Sequence, residues 1–560
     1  MPTTRTFNQA FAGGEISPEM FGRISDTKFQ TGASKMRNFI AKPQGPAENR
    51  PGFAFVKEVK DSTKATRLLS FTFNTTQTMV IEMGDQYFRF HTQGLTLQYS
   101  QGSNWNNSTN YSIGAIVYNN GNNYYSRTGG TNRNTNNTTH WYLLPSDSTY
   151  EIPSPFLEAE LFDVHYVQSA DIITMVHPNH APRELKRFGA TNWQLETINF
   201  GTPIAAPGGV SASRTIPASS STNSDTYETH RYKVTAVLAD QVSESSGSST
   251  ASVNNNIYVT GARNNISWNS RAGAARYRVY KEQGGIYGFI GETTSTSLTD
   301  NNIGPDFSRT PPQFENEFQS TNNFPGAVSY FEQRRVFAGT NNEPQSIFMT
   351  KSGTESNLSF GLPIRDDDRV KFKVAAREAN TIRHIVPLTQ LVLLTGSAEW
   401  RVSSINNDAI TPSSISVKPQ SYVGANNAQP VIVNNSMVYA AARGGHIREL
   451  GYNWQANGFI TGDLSLRAPH LFDNLTVTDM ALSKSPIPIV YFVSSNGKLI
   501  GLTYVPEQSI GAWHQHDTDG LFESVATVSE GNDDVLYAVV KRTINGASKR
   551  YCLLYTSDAA

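Results

Sequence analysis

Few residues in this 560-residue chain have a type and spacing suited to chemistry. His514-x-His516-Asp517 could offer two imidazoles and a carboxylate to a transition metal from one face of a strand, and Asp366-Asp367-Asp368 could offer oxygens to a hard cation. The histidine set has no obvious further partner. The histidines therefore read as a polar strand end, and the aspartates as a solvated turn or a subunit salt bridge. His177-Pro178 and His180 sit in a Pro-bounded loop and read as structural too. The single Gly-Lys pair, Gly497-Lys498, is followed by Leu499, so no P-loop is present, and neither H-E-x-x-H nor G-x-S-x-G occurs. No pattern sets two carboxylates across a sugar cleft. The expectation is a chain that is not an enzyme, with no catalytic residue, cofactor or metal.

The elements that must carry these residues are strand-sized. Thr78 to Met83, Tyr232 to Leu238, Arg276 to Tyr280 and Leu391 to Thr395 are short alternating or apolar runs. Asn496-Gly497 and Asn545-Gly546 mark tight hairpins, whose central residues need positive φ. Ala375 to Ile385 is the one stretch that composition makes helical. Lys and Arg number 46 against 47 Asp and Glu, a net charge of −1, so no general basic field exists to hold nucleic acid or anionic membrane. Cys552 is the only cysteine, which removes an intrachain disulfide framework and a Cys-based zinc cage. No apolar run is long enough for a membrane helix, and the polar start Met1 to Ala10 lacks a signal-peptide profile.

Composition shifts twice. Residues 101–145 are rich in Asn, Thr, Ser, Gly and Tyr, and residues 206–312 are rich in Ser and Thr. Both read as insertions into a discontinuous core made of 1–100, 146–205 and 313–551. The last third of the chain repeats paired strands and turns about every 20 to 25 residues, which suits propeller blades. The expected fold is all-β: a discontinuous β-propeller-like core with two inserted small β modules.

The segment Ala12 to Phe55 carries the most specific signal, with Gly14-Glu15-Ile16-Ser17-Pro18, Gly22-Arg23, Asp26, Lys28, Asn38-Phe39, Pro43-Gln44-Gly45 and Arg50-Pro51-Gly52. It resembles the start of the podovirus (short-tailed phage) tail nozzle proteins, the tail tubular protein B family. More of that pattern follows in order: Val167 to Leu185, Phe324-Pro325-Gly326, Gln333 to Gly339, Glu399-Trp400-Arg401-Val402, Arg448-Glu449-Leu450-Gly451-Tyr452 and Trp513 to Asp517. Pro43-Gln44-Gly45 and Arg50-Pro51-Gly52 fix two turns. Arg23, Arg50, Arg334, Arg335, Glu399, Trp400, Arg448 and Glu449 are the candidate scaffold and assembly residues. Guanidinium groups beside strand aromatics, Arg401 among them, can pair with a carboxylate or stack on a ring between blades or subunits.

In the first insertion Trp105, Tyr111, Gly114, Val117-Tyr118, Tyr124-Tyr125 and Trp141 resemble a small carbohydrate-binding module of the chitin-binding kind, with Ala115 where that pattern usually has an acid. Trp105, Tyr124, Tyr125 and Trp141 are the candidate glycan-binding residues, since an aromatic face suits the C–H face of a pyranose. Trp105, Tyr111 and Trp141 serve equally as the core of so small a module. In the second insertion Ile266-Ser267-Trp268-Asn269 and Tyr277-Arg278-Val279-Tyr280 resemble the central strands of a fibronectin type III sandwich, with Trp268, Tyr277 and Val279 in its core. Tyr232 to Ser246 looks like the late hairpin of such a module but comes early, so this region is either permuted or two partial modules.

Cys552 to Ala560 departs from the family pattern and is similar to translated adaptor sequence, which marks 552–560 as a non-native tail and the last blade as incomplete. The resemblance implies a structural virion protein of the phage tail, made in the host cytoplasm. It would be a homo-oligomer, by family a hexamer, forming a nozzle ring below the portal and adaptor. Its partners would be a tail adaptor protein, tail fibres, duplex DNA in transit without sequence specificity, and a host-surface glycan. The alternative is a glycan-binding tail adhesin or a depolymerase-associated protein.

Overall fold

The computed structural model describes residues 10–23, 25–74, 77–217, 224–375, 380–406 and 409–556. The described residues form β-strands joined by turns and a few short 3-10 helices. Seven sheets, each with an antiparallel four-stranded core, follow one another as the blades of a propeller; one gains a short fifth strand, Leu95–Thr96, and another is extended to six strands by the N-terminal segment. Each is named here by its innermost strand: I (Arg67–Asn74), II (His165–Ser169), III (Ala327–Phe331), IV (Ile382–Pro387), V (Val431–Val433), VI (Val477–Ser483) and VII (Leu521–Glu530). Blade VII takes its outermost strand, Gly52–Glu58, from the other end of the chain, paired antiparallel to Ala547–Thr556. The first strands of blades VII and I then pack side by side and close the ring.

The core is a wedge between each pair of neighbouring blades. This explains why Leu391–Thr395 is apolar throughout. Successive side chains point to opposite faces of a strand, and here both faces are packed. Leu391 and Leu393 enter the wedge with blade III, and Val392 and Leu394 the wedge with blade V.

The N-terminal segment is built onto blade VI, where Gly14–Glu15 and Gly32–Ala33 extend its sheet past Ile510–His516. Gly14 has φ +68°, and a Cβ there would lie 2.2 Å from the Trp513 amide nitrogen, so the approach requires glycine.

The first insertion is a four-stranded sheet spanning Ser103–Asn104 to Trp141–Leu143. It sits against blades I and II. Tyr125 and Leu144 are buried in the same cluster as Phe71, Phe90 and Trp193, and the Tyr125 hydroxyl donates to the Trp193 carbonyl at 2.8 Å. The second insertion is one sandwich, not two partial modules, of a three-stranded and a four-stranded sheet. Its early hairpin strand Glu228–Val237 pairs with the central strand Arg276–Gln283, so the strand order is permuted while the sandwich is kept. Trp268, Tyr277 and Val279 are all buried in its core.

Two expectations are corrected. Within Ala375 to Ile385, residues 376–379 lie outside the described ones, but Ile382–Pro387 is a strand, because its apolar residues fill the wedges of blade IV rather than one helical face. At the chain end, Cys552 to Thr556 continue the strand that starts at Ala547, and blade VII has all four strands. Cys552 is fully buried against Leu68 and Val80, and burial raises its thiol pKa well above the ordinary value. The boundary at 551 therefore falls inside a packed strand.

Candidate functional site on the propeller axis

The innermost strands surround an axis that holds three cavities. The widest, about 570 Å³, opens among the loops leading into those strands, lined by Phe162, Asp163, Asn427, Glu523 and Lys541. A second, about 480 Å³, lies between the strands themselves. A third, about 170 Å³, lies toward blades III and IV.

The walls are polar and tightly partnered. Arg67 donates to the carbonyls of Leu161 (3.0 Å) and Val164 (2.6 Å), tying blade I to the loop before blade II. Asp479 accepts from the Val525 and Met480 amides at 3.1 Å and from the Ser524 hydroxyl, and burial raises its pKa. His165 has ring nitrogens 2.6 Å from the Gly326 carbonyl and 3.1 Å from the Asn427 carbonyl. His384 meets the Asn426 carbonyl at 2.8 Å, and the two rings stand edge to face with centroids 4.7 Å apart. Burial pushes the pKa of both histidines down, and a neutral imidazole carries a single N–H. These groups fasten the blades around the axis.

A second cluster lies where blade I hands over to blade II. Glu160, His177 and His180 have their ligand atoms within 4.8 Å of one another, a set that could hold a metal ion. Each is already engaged: His180 Nε2 lies 2.7 Å from Glu160, Glu160 accepts from the Leu157 amide at 3.0 Å, and His177 Nδ1 accepts from the Asn179 amide at 3.1 Å. These internal bonds use one ring nitrogen of each histidine. Glu160 was not legible beside them, because it reaches them from a separate 3-10 helix, Glu158–Asp163.

No protein-family model and no curated protein matches the chain. Among solved structures it is similar to U3-55K (9% identity over 70% of this chain and 98% of that one, TM-score 0.28). It is also similar to the WD40 repeats of RRP9 (8%, 70% and 97%, TM-score 0.28) and to the computationally designed Ika8 protein (11%, 90% and 100%, TM-score 0.33). At such identities and TM-scores these likenesses say nothing of what this chain binds.

The other sequence candidates fall into place by burial. His514 and His516 are fully buried and face each other at 2.7 Å, with Tyr555 at 3.0 Å beyond His516, so they form an internal relay of hydrogen bonds rather than a ligand face. Asp367 and Asp368 pair with Lys351 of the same chain. Arg334 is buried, donating to the carbonyls of Thr350, Asp366 and Asp368. Arg335, also buried, reaches from blade III to Glu184 of blade II at 2.7 Å. Glu399 accepts from the Tyr439 hydroxyl at 3.0 Å, between blades IV and V, and Trp400 is buried in the wedge of blades III and IV. Arg401 donates to the Asn457 carbonyl of blade V at 2.7 Å. Arg50 donates to the Asp517 carbonyl at 2.8 Å and stacks over Phe53. Arg448 faces Asp463 at 3.5 Å, and Glu449 accepts from the Tyr504 hydroxyl. Arg23 is exposed. Burial fits Arg334, Arg335, Glu399 and Trp400 to the scaffold side of the expectation, within and between blades, rather than to contacts with a second copy.

Among the candidate glycan-binding residues, Tyr125 and Trp141 are 2% and 3% exposed, so neither presents a face to a sugar. The indole nitrogens of Trp105 and Trp141 both donate to the Arg133 carbonyl, at 3.1 and 3.0 Å, and Tyr111 stands edge-on to Trp141. That cluster is the module's own core. Trp105 and Tyr124 are half-buried.

Proposed function

We propose that this chain is a wall element of a short-tailed phage tail nozzle. In this reading several copies, six by family resemblance, form a ring below the portal and adaptor that conducts and gates duplex DNA. One observation carries it: the scattered segments that resemble the nozzle family lie on one closed body. Ala12 to Phe55 spans the extension of blade VI and the strand that completes blade VII. Val167 to Leu185 lies in blade II, Phe324 to Gly339 leads into and lies in blade III, Glu399 to Val402 lies in blade IV, Arg448 to Tyr452 in blade V, and Trp513 to Asp517 ends blade VI. The axial cavities have room for small ligands, not for a duplex. The DNA path would therefore run between copies, past a subunit whose net charge of −1 gives no general attraction for the phosphate backbone. The outermost strands of the blades carry unpaired edges that neighbouring copies, the adaptor or tail fibres would cover.

Negative-stain microscopy of the purified chain, alone and with its tail adaptor, tests this reading. Rings with a central hole are expected; particles that stay monomeric in both preparations would overturn it. The alternative, a host-surface glycan adhesin, keeps Trp105 and Tyr124 of its four rings as half-buried candidates.

A further inference from the structure

The cleft between the first insertion and the propeller is bordered by Arg127, Thr128 and Thr139 from the module and by Ser154, Arg183 and Leu195 from blades I and II, and encloses about 260 Å³. Its charge is one-sided. Residues 101–145 contain two arginines, Arg127 and Arg133, and no Asp or Glu. Arg133 stands behind the cleft and donates to the Thr128 hydroxyl at 2.6 Å. Arg183 reaches in from strand His180–Gly189, where its Nε has no hydrogen-bond partner.

Some buried or partly buried arginines of the molecule have a carboxylate, as Arg335 has Glu184, Arg550 has Glu523 and Arg278 has Glu244, while Arg67, Arg334 and Arg401 are held by backbone carbonyls. Among the described residues Arg127, Arg133 and Arg183 enter no ion pair; Arg127 donates to the Thr138 carbonyl at 3.0 Å. Burial, and then the neighbouring charge of Arg127, pushes the Arg183 pKa down, the direction expected of a cation with no counter-charge. Arg183, partly buried in this lining without an acid, costs free energy that an anion from outside the chain would offset, and the exposed Arg127 adds a second positive charge on the same lining. Planar guanidinium forks match the geometry of carboxylate and phosphate oxygens. Ile113 and Leu195 add an apolar wall, and the volume suits one small unit rather than a polymer.

We propose that this cleft binds a small ligand bearing an oxyanion, the carboxylate or phosphate of a sugar unit, with Arg127 and Arg183 holding the oxyanion and Thr128 and Ser154 within reach of its hydroxyls. The site does not depend on ring assembly, so it stands or falls separately from the nozzle reading.

Calorimetric titration of the full chain with glucuronate, glucose 6-phosphate, inorganic phosphate and glucose tests it, and comparing the first three separates a sugar acid from a sugar phosphate and from free phosphate. Saturable binding of at least one anion at roughly millimolar concentration is expected, with none for glucose. Arg127→Gln and Arg183→Gln should each weaken it about tenfold or more, as loss of a charge-assisted hydrogen bond does. Arg127 is exposed, so its variant stays informative even if Arg183→Gln disturbs the blade. No binding of any anion to the parent chain, or anion binding unchanged by Arg127→Gln, would overturn the proposal.

Discussion

The two insertions are built on opposite plans. The sandwich, whose strands run from Ser211–Thr215 to Ser297–Asp300, closes its own core from both of its sheets: Tyr232, Val234, Ile266, Trp268, Tyr277 and Val279 pack on one another. The Ser103–Leu143 module has a small core of its own around Trp105 and Trp141, yet it lends Tyr125 and Leu144 to the wedge between blades I and II. A domain that owns its core can be gained or lost without cost to its host. A module that shares one has become part of the wall.

Excision gives the largest test of that contrast. Deleting 206–312 should leave the propeller's thermal transition nearly in place, whereas deleting 101–145 should lower it strongly or prevent folding, since the blade I–II wedge would then meet water. Calorimetry of the two deletions decides it, and equal losses would break the distinction. Next come single truncations. Tyr125→Ala should cost the propeller about 3–5 kcal/mol, while Tyr277→Ala should cost a similar amount in a separate sandwich transition and leave the propeller's unmoved.

Acid should sharpen the contrast further. Burial pushes the pKa of His165, His177, His384, His514 and His516 in the propeller below the ordinary 6.5, His514 to about 3, but does so for His230 alone in the sandwich. A group depressed in this way stays neutral in the fold while the unfolded chain takes up a proton. Stability therefore falls as pH drops below 6.5, with a slope of up to about 1.4 kcal/mol per pH unit for each such histidine. Asp479, with its pKa raised, opposes the trend at lower pH, one group against five. Denaturant melts from pH 7 to 5 should show the propeller weakening faster than the sandwich. The smallest effect is expected from Tyr125→Phe, which keeps the ring and loses only the bond to the Trp193 carbonyl, at about 1 kcal/mol.

Local pattern made some of this readable and long-range pairing hid the rest. The all-β class follows from strand-sized runs and turn pairs, and the core residues Trp268, Tyr277 and Val279 of the sandwich follow from the resemblance of their segments to fibronectin type III strands. The number of blades does not follow, because the strand closing the seventh, Gly52–Glu58, lies at the far end of the sequence from its partner. The cationic cleft was half visible: a module with arginines and no acids is a compositional fact, but Arg183 joins it from another blade. Glu160 was hidden beside His177 and His180 for the same reason. Tyr124 and Tyr125 show the limit of alternation, which tells that one ring must turn inward and leaves the choice to the host surface it meets.

The shared seventh blade has a kinetic side. During synthesis Gly52–Glu58 leaves the ribosome long before Ala547–Thr556 exists, so it must wait unpaired through most of translation. Such a strand, at once an open template for other chains and the piece on which ring closure depends, makes folding slow to finish and exposed to mispairing until the last residues arrive.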